Sequence, residues 1–231
     1  MDWRDKVFKN FKLYGVTDLQ GEGADTFWRI EHAFRGGADI IQLRSKVLSD
    51  AALLRLGLKV KRLAIKYRRL FFINDRVDLA LAAGADGVHL GQEDMPVAVA
   101  WKLVRRAGRK FWIGKSTHSL GQALTAVREG ADYIGVGPVF ATPTKPHMRS
   151  VGLRFVRQAA AKIPIPWVAI GGIDLKNIRC VIDAGATRVA VVRALFAAES
   201  SENAAKKIKQ QLFRQINNST GRNTTCQNRL F

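Results

Sequence analysis

The chain has 231 residues, of which 47% are hydrophobic, so it is long and apolar enough to bury one core without a second domain. Its uncharged runs fall well short of the roughly twenty apolar residues that a membrane-spanning helix needs, which excludes a membrane-spanning protein. The net charge of +19 favours anionic partners, either nucleic acids or phosphorylated metabolites.

Residues 1–12 mix charged side chains with isolated apolar ones. An export signal requires a continuous apolar stretch after its basic residues, so a cytoplasmic protein is expected. We assign these twelve residues to an N-terminal extension that precedes the first predicted strand.

An internal repeat organises the rest of the chain. Its four copies are GGADIIQL at 36–43, AGADGVHL at 83–90, EGADYIGV at 129–136 and AGATRVAV at 184–191. In each copy a glycine suited to the left-handed end of a helix precedes a short apolar run, which predicts a junction from helix to strand. Successive copies are about fifty residues apart, which leaves room for two strand–helix units per step.

Further apolar runs supply the intervening strands. They lie at 13–17, 70–73, 111–114 and 165–170. Helical periodicity separates the strands at 26–35, 49–68, 76–83, 96–107, 119–129, 152–162, 175–183 and 201–216. Eight alternating units predict an α/β protein with a single-domain (β/α)8 TIM barrel over 13–216. A doubly wound open sheet is the alternative, but no Gly-x-Gly-x-x-Gly motif follows the first strand. Residues 217–231 show no periodicity and are predicted to be a flexible tail.

Much of the positive charge lies on the predicted helix at 49–68. Its basic stripe, about 120° from an apolar stripe, consists of Arg55, Lys59, Arg62, Lys66 and Arg69. This pattern is typical of the solvated face of an amphipathic helix. Neither a reading helix nor base-stacking aromatic residues accompany it, so a nucleic-acid partner is not expected. A basic nucleic-acid-binding barrel stays the alternative from another class.

Polar residues follow almost every predicted strand. In a (β/α)8 barrel the active site lies at the carboxyl ends of the strands, so these residues are the site candidates. They include Gln42, Arg44, Lys46, Asn74, Asp75, Asp94, Ser116, Thr142, Thr144, Lys145, Gly172 and Arg193. We interpret His89, in the middle of a strand, as an interior hydrogen-bonding residue rather than a catalyst.

Two pairs of charged candidates indicate particular ligands. Asp75 and Asp94 end neighbouring strands without a His or Cys cluster nearby, which predicts a Mg2+ site, with a pair of helix N-caps as the alternative. Arg44 and Lys46 are two residues apart, so in an extended strand both side chains are expected to point to one side, where they could bind a polyphosphate. Surface ion pairs are the alternative for these two.

Two further segments suggest how a ligand is held. Gly171 and Gly172 follow the seventh strand, near which such barrels commonly bind phosphate, and are expected to let the backbone approach a ligand. The segment 137–152 is long for a strand-to-helix connection and lacks apolar periodicity. In a compact domain this predicts a substrate loop.

Seven motifs at successive strand ends, between about residues 13 and 198, resemble thiamine phosphate synthase. They are LYGVTD at 13–18, QLRSK at 42–46, INDRVDLA at 73–80, GVHLGQEDMP at 87–96, GKSTHS at 114–119, GPVFATPTK at 137–145 and AIGGI at 169–173. The resemblance implies a cytoplasmic, Mg2+-dependent (β/α)8 transferase of thiamine biosynthesis. Such an enzyme joins 4-amino-2-methyl-5-(diphosphooxymethyl)pyrimidine to a thiazole phosphate and releases pyrophosphate. The implied chemistry is dissociative: pyrophosphate leaves before the thiazole nitrogen traps the pyrimidine cation.

The resemblance also implies roles for individual residues. The pyrimidine diphosphate would contact Gln42, Arg44, Lys46, Asn74, Ser116 and Lys145, of which Arg44, Lys46, Ser116 and Lys145 are the catalytic candidates. The thiazole phosphate would contact Thr142, Thr144, Gly172, Val192 and Arg193. Mg2+ would bind Asp75 and Asp94. The expected partners are thus these small-molecule substrates, not nucleic acid or a membrane, and a homo-oligomer stays open.

Two positions depart from the pattern of the family. Ser45 stands where the family often has Glu, while its neighbours keep the motif. Arg193 stands where the family usually has Ser, and it could either fill the phosphate pocket or pair with the phosphate. A weakened synthase, or a protein similar to the related thiazole tautomerase branch, is therefore the alternative. That branch lacks the diphosphate-binding set, so Arg44, Lys46, Asp75, Asp94 and Pro138 favour the synthase.

Overall fold

The computed structural model describes residues 2–19, 24–144 and 148–214. Eight parallel strands pair in chain order, and the last pairs with the first to close a barrel. The strands are β1 (Leu13–Val16), β2 (Ile40–Leu43), β3 (Leu70–Asn74), β4 (Gly87–Leu90), β5 (Trp112–Thr117), β6 (Tyr133–Val136), β7 (Trp167–Ile170) and β8 (Val189–Val191). The predicted single (β/α)8 barrel is therefore confirmed.

Helices surround the barrel, and those that the periodicity predicted begin and end within a few residues of the expected positions. They are α2 (Ala24–Arg35), α3 (Asp50–Lys66), α4 (Val77–Ala82), α5 (Val97–Arg106), α6 (Leu120–Arg128), α7 (Gly152–Lys162), α8 (Ile178–Asp183) and α10 (Ser201–Arg214). The sequence analysis did not predict α1 (Trp3–Asn10) or α9 (Arg193–Phe196). Helix α9 has only four residues, and α1 lies in the segment assigned to an extension because charged residues interrupt its apolar ones. Among the described helices, none combines the length and the apolar composition needed to cross a membrane. The tail predicted at 217–231 lies outside the described residues.

Aromatic rings fill the amino-terminal half of the barrel interior. This inner cluster comprises Phe11, Tyr14, Val16, Ile40, Leu70, Phe72, Trp112, Tyr133, Val168 and Ala190. Helix α1 lies beneath it, with Phe8 stacked on Trp112 at 4.7 Å between ring centroids. The aromatic floor leaves space only toward the carboxyl ends of the strands.

The aspartates of the repeat hold the strands together at the amino-terminal end. Asp39 accepts a hydrogen bond from the backbone N–H of Leu13, Asp86 from that of Phe71, and Asp132 from that of Ile113. Each carboxylate thus receives an N–H group at the start of the preceding strand. The glycine at the second position of each copy has φ between 66° and 104°, as the predicted left-handed helix ends require. The repeat therefore specifies the amino-terminal end of the barrel, which in this fold contributes to stability rather than to catalysis.

The three aspartates differ in their cationic neighbours. Asp39 pairs with Arg69 and Lys209, and Asp86 pairs with Lys61 at 2.6 Å and Arg4 at 3.5 Å. Asp132 forms no ion pair with any residue in 2–19, 24–144 or 148–214. Burial accordingly raises the pKa of Asp132 to about 6, and the N–H of Ile113 opposes this only in part.

Asp132→Asn is expected to stabilise the protein at neutral pH. The folded-state pKa lies above the ordinary value of 3.8, so folding stability falls as pH rises from about 4 to 6. The amide keeps an oxygen for Ile113 and cannot ionise. We expect a gain of about 2 kcal/mol at pH 7.5 and little change near pH 4, measured by urea denaturation. The exposed variant Glu129→Gln is the control, and an equal gain at both pH values would contradict the assignment.

Candidate active site

A cavity of about 540 Å3 opens at the carboxyl ends of the strands, where the barrel architecture predicted the site. Most of the candidate residues line it. They are Gln42, Arg44, Asn74, Ser116, Thr142, Thr144, Gly172, Val192 and Arg193. The structure therefore brings together residues of β2, β3 and β5 with residues from the connections that follow β6, β7 and β8.

Arg44 is a buried cation at the wall of this cavity. Only 7% of its surface is exposed, and its guanidinium forms an ion pair with Asp18. Its backbone N–H donates to the hydroxyl of Thr17 at 2.8 Å. A buried cation with a fixed backbone is preorganised to receive an anion. Asp18 was missed by the sequence analysis, although it follows the first strand as the other candidates follow theirs.

Lys46, in contrast, is exposed and does not line the cavity. The prediction that Arg44 and Lys46 point to one side assumed that strand alternation continues past residue 43. Strand β2 ends at Leu43, and the hydroxyl of Ser45 then accepts hydrogen bonds from the backbone N–H groups of Val47 and Leu48. The chain turns there, so the alternation no longer applies. Lys145 lies outside the described residues.

Asp75 and Asp94 follow the neighbouring strands β3 and β4 but do not line the large cavity. Asp75 is exposed and has a φ of 62°, which is unfavourable for a residue other than glycine. The carboxylate of Asp94 accepts the N–H of Gly91 at 2.5 Å and borders a separate depression of about 150 Å3. The N-caps of α4 and α5 are Arg76 and Pro96, so the alternative reading of these aspartates as N-caps is wrong.

The donor set at these two aspartates suits a hard cation only in part. The described residues contain no group of three His, Cys, Asp or Glu side chains that could hold a metal ion. Mg2+, however, commonly binds one or two carboxylates and completes its coordination with substrate phosphates and water. Two carboxylates at one rim fit that mode of binding and do not fit a metal site made of protein ligands alone.

Gly171 and Gly172 have positive φ values of 102° and 63°. A Cβ atom on Gly171 would lie 2.5 Å from the Cα of Pro138, and one on Gly172 would lie 2.6 Å from the carbonyl oxygen of Ala141. The glycines therefore let the connection after β7 touch the connection after β6. This contact accounts for the glycines through loop packing, and backbone approach to a ligand stays a prediction.

Residues that follow β6 and β8 also line the cavity. Thr142 and Thr144 come after β6, and Val192 and Arg193 come after β8. Arg193 is exposed and begins α9, so it borders the opening and does not fill the interior. In the described part of the chain its guanidinium makes no ion pair.

A chain of polar side chains crosses the floor of the cavity above the aromatic cluster. The Nε2 of Gln42 lies 2.9 Å from the hydroxyl oxygen of Tyr14, which is 2.7 Å from that of Tyr133. The Nδ1 of His89 lies 2.9 Å from the Tyr133 oxygen, and its Nε2 lies 3.0 Å from the Oγ of Ser116. The interpretation of His89 as an interior hydrogen-bonding residue is confirmed. Both tyrosines were missed, because an inward-facing tyrosine has the same sequence pattern as a core residue.

Known proteins resemble this chain over most of its length. Residues 13–195 match the family described as thiamine monophosphate synthase. The chain is 46% identical over 192 residues to a thiamine-phosphate synthase of Thermus thermophilus, covering 81% of this chain and 89% of that one. It is 47% identical over 211 residues to a thiamine-phosphate synthase of Nostoc sp., covering 91% of this chain and 58% of the relative. The chain thus spans less than two thirds of the length of that relative.

A solved structure supports the same assignment. The thiamine phosphate pyrophosphorylase of Pyrococcus furiosus superposes with a TM-score of 0.80 at 38% identity, covering 90% of this chain and 98% of that one. The region matched by the family includes all eight strands of the barrel. Since this match covers most of the chain and the relatives agree with it, the chain belongs to the thiamine monophosphate synthase family.

Proposed function

We propose that the protein joins 4-amino-2-methyl-5-(diphosphooxymethyl)pyrimidine to a thiazole phosphate and releases pyrophosphate, which gives thiamine phosphate. The observation that carries this proposal is Arg44, a buried cation paired with Asp18 at the wall of a cavity whose other lining residues are mostly neutral polar and apolar groups. An anionic group of the substrate would bind beside it. Membership of the family supplies the identity of the two substrates.

The lining residues suggest where each substrate binds. The diphosphate would lie at Arg44, with Lys145 as a further cationic candidate, and the exposed Lys46 would contribute little. The pyrimidine ring would lie deeper, near Gln42 and Ser116, with Asn74 at its side. The thiazole phosphate would bind at the mouth, where the contacts are Thr142, Thr144, Gly172, Val192 and Arg193.

The proposed reaction is dissociative. The C–O bond to the diphosphate breaks first, with its electron pair leaving on pyrophosphate, and the thiazole nitrogen then bonds to the pyrimidine cation. Arg44 would stabilise the negative charge that develops on the leaving group. Asp75 and Asp94 would hold Mg2+ against the diphosphate, and the bound ion would neutralise part of its charge.

Purified protein is expected to form thiamine phosphate from both substrates when Mg2+ is present. Removal of divalent cations with EDTA should lower the rate at least about hundredfold, because several kcal/mol of charge stabilisation are lost, and excess Mg2+ should restore it. Product is measured by oxidation to a fluorescent thiochrome. Another thiamine phosphate synthase, assayed in parallel, controls for the substrates. Product from that enzyme alone would refute the proposed activity, and an EDTA-resistant rate would refute the metal requirement.

Arg193→Ser tests the role of the residue that departs from the family pattern. If Arg193 holds the thiazole phosphate, its loss should raise the KM for that substrate about tenfold, since a charge-assisted hydrogen bond contributes about 1.5–3 kcal/mol. The KM for the pyrimidine diphosphate should stay unchanged. Steady-state kinetics with each substrate varied in turn measure both constants, and Arg157→Ser on α7 is the exposed control. A lower KM for the thiazole phosphate would show instead that Arg193 obstructs the site.

A further inference from the structure

The polar chain runs from Gln42 through Tyr14, Tyr133 and His89 to Ser116. Because each member is hydrogen-bonded to the next, the direction of one bond constrains the direction of its neighbours. Its four hydrogen bonds span 2.7 to 3.0 Å and connect β2 to β5 across the barrel. Every member of the chain except Tyr133 lines the cavity. Burial raises the pKa of both tyrosines well above the ordinary range, so each hydroxyl keeps its one proton at neutral pH.

The direction of each hydrogen bond follows from the amide of Gln42. An amide nitrogen can only donate, so the oxygen of Tyr14 accepts from Nε2. Within the chain, the oxygen of Tyr133 is then the acceptor open to the proton of Tyr14, and the Nδ1 of His89 is the acceptor open to the proton of Tyr133. The neutral imidazole therefore carries its proton on Nε2 and donates it to Ser116. The hydroxyl proton of Ser116 is not used by the chain.

One other order also keeps every tyrosine proton within the chain. If the amide of Gln42 turned so that Oε1 accepted from Tyr14, every bond would reverse, and His89 would carry its proton on Nδ1. A mixed order leaves either a tyrosine proton without an acceptor in the chain or two neighbouring atoms without a proton between them, and both are unfavourable for buried groups. The orientation of the amide and the tautomer of the imidazole are thus coupled through the two tyrosines.

We propose that Tyr14 and Tyr133 are positioning residues that fix this proton order, so that Gln42 offers its carbonyl oxygen, and Ser116 its hydroxyl proton, to the ligand. This role rests on the proposed function and extends it, because it assigns the residues that select the pyrimidine ring of the substrate. A 4-aminopyrimidine carries an amine donor and, at the opposite end of the ring, a nitrogen acceptor. A 4-oxopyrimidine has an acceptor in place of the amine and would face the oxygen of Gln42 unfavourably.

The histidine tautomer is the direct test, and it requires no substrate. Protein labelled with 15N-histidine is examined by long-range 1H–15N correlation, and the signals of His89 are assigned by their loss in His89→Gln. Protonation on Nε2 is expected in the unaltered protein. In Gln42→Glu, at about pH 9 so that the new carboxylate is ionised and can only accept, the order should reverse and the proton should move to Nδ1. Protonation on Nδ1 in the unaltered protein, or no reversal in the folded variant, overturns the proposal.

Tyrosine variants provide a second route if Gln42→Glu does not fold. Tyr133→Phe removes one oxygen, cuts the chain and should leave a mixture of both tautomers. Tyr67→Phe is the matched control, because its hydroxyl also makes a hydrogen bond, to Glu31, but lies on the outside of the barrel. Tyr67→Phe should keep the single tautomer. An unchanged tautomer in Tyr133→Phe, or a mixture in Tyr67→Phe, contradicts the proposed role.

Kinetics test the specificity that the order confers. The ratio of kcat/KM for the amino substrate to that for its 4-oxo analogue should fall about tenfold in Tyr133→Phe and stay within about twofold in Tyr67→Phe. An equal ratio in all three proteins would show that the chain does not determine specificity. If the unaltered protein forms no thiamine phosphate, the proposed function fails, whereas the tautomer measurement still decides the proton order.

Discussion

Arg44→Met is expected to lower kcat/KM for the pyrimidine diphosphate about hundredfold. The guanidinium lies at the cavity wall, where it is shielded from water, and loss of its charge-assisted hydrogen bonds to a diphosphate removes about 1.5–3 kcal/mol. Methionine keeps most of the apolar stem. The KM for the thiazole phosphate should change little, because that substrate is proposed to bind at the mouth. Steady-state kinetics with each substrate varied in turn give both constants.

Lys46→Met is the matched control for this variant. Lys46 is two residues further along the chain and also cationic, but it is exposed and does not line the cavity. We expect a loss of less than about threefold, in line with the small contribution of an exposed charge. Because Arg44→Met leaves Asp18 without its partner, the double variant with Asp18→Asn shows whether lost activity reflects lost stability. Equal losses in Arg44→Met and Lys46→Met would contradict the assignment of Arg44 as the buried anion-binding residue.

Asp86→Ala is expected to lower the free energy of unfolding by about 3–5 kcal/mol. The carboxylate is 1% exposed, pairs with Lys61 and Arg4, and accepts the N–H of Phe71. Burial already lowers the pKa of Lys61, and removal of Asp86 takes away the charge that opposes this effect. The variant therefore removes the carboxylate that pairs with two partly buried cations and accepts a buried backbone N–H. Urea denaturation at neutral pH measures the loss.

Asp183→Ala on α8 is the control for Asp86→Ala. It also breaks an ion pair, with Arg179 at 2.9 Å, but on the surface and within one helix. Such pairs contribute less than about 1 kcal/mol. If both variants lost similar stability, the aspartates of the repeat would not hold the strands together as the hydrogen bonds indicate.

The barrel could be predicted from the sequence because its repeat is encoded locally. A glycine at the helix end, an aspartate and a short apolar run recur four times, with threonine at position 187 in place of the last aspartate. The carboxyl ends of parallel strands meet at one rim, so the sequence alone predicts that Gln42, Asn74 and Ser116 lie together, as they do in the cavity.

The depth and the direction of side chains could not be predicted. Strand alternation indicated that Arg44 and Lys46 share a side, but a one-dimensional pattern does not show where a strand ends. Tyr14 and Tyr133 have apolar neighbours on their strands, so their pattern indicated core packing, and only coordinates show that their hydroxyls meet at 2.7 Å. The partner of Arg44 lies 26 residues earlier, a separation that no local pattern reveals.

Helix α1 and the aromatic rings above it close the amino-terminal end of the barrel, and among the described residues the cavity lies at the carboxyl ends of the strands. Under the proposed function, both substrates would enter and both products would leave at that end. Binding would then be ordered. The pyrimidine diphosphate would have to bind beside Gln42 before the thiazole phosphate covers it, and thiamine phosphate would have to leave before another pyrimidine diphosphate could bind.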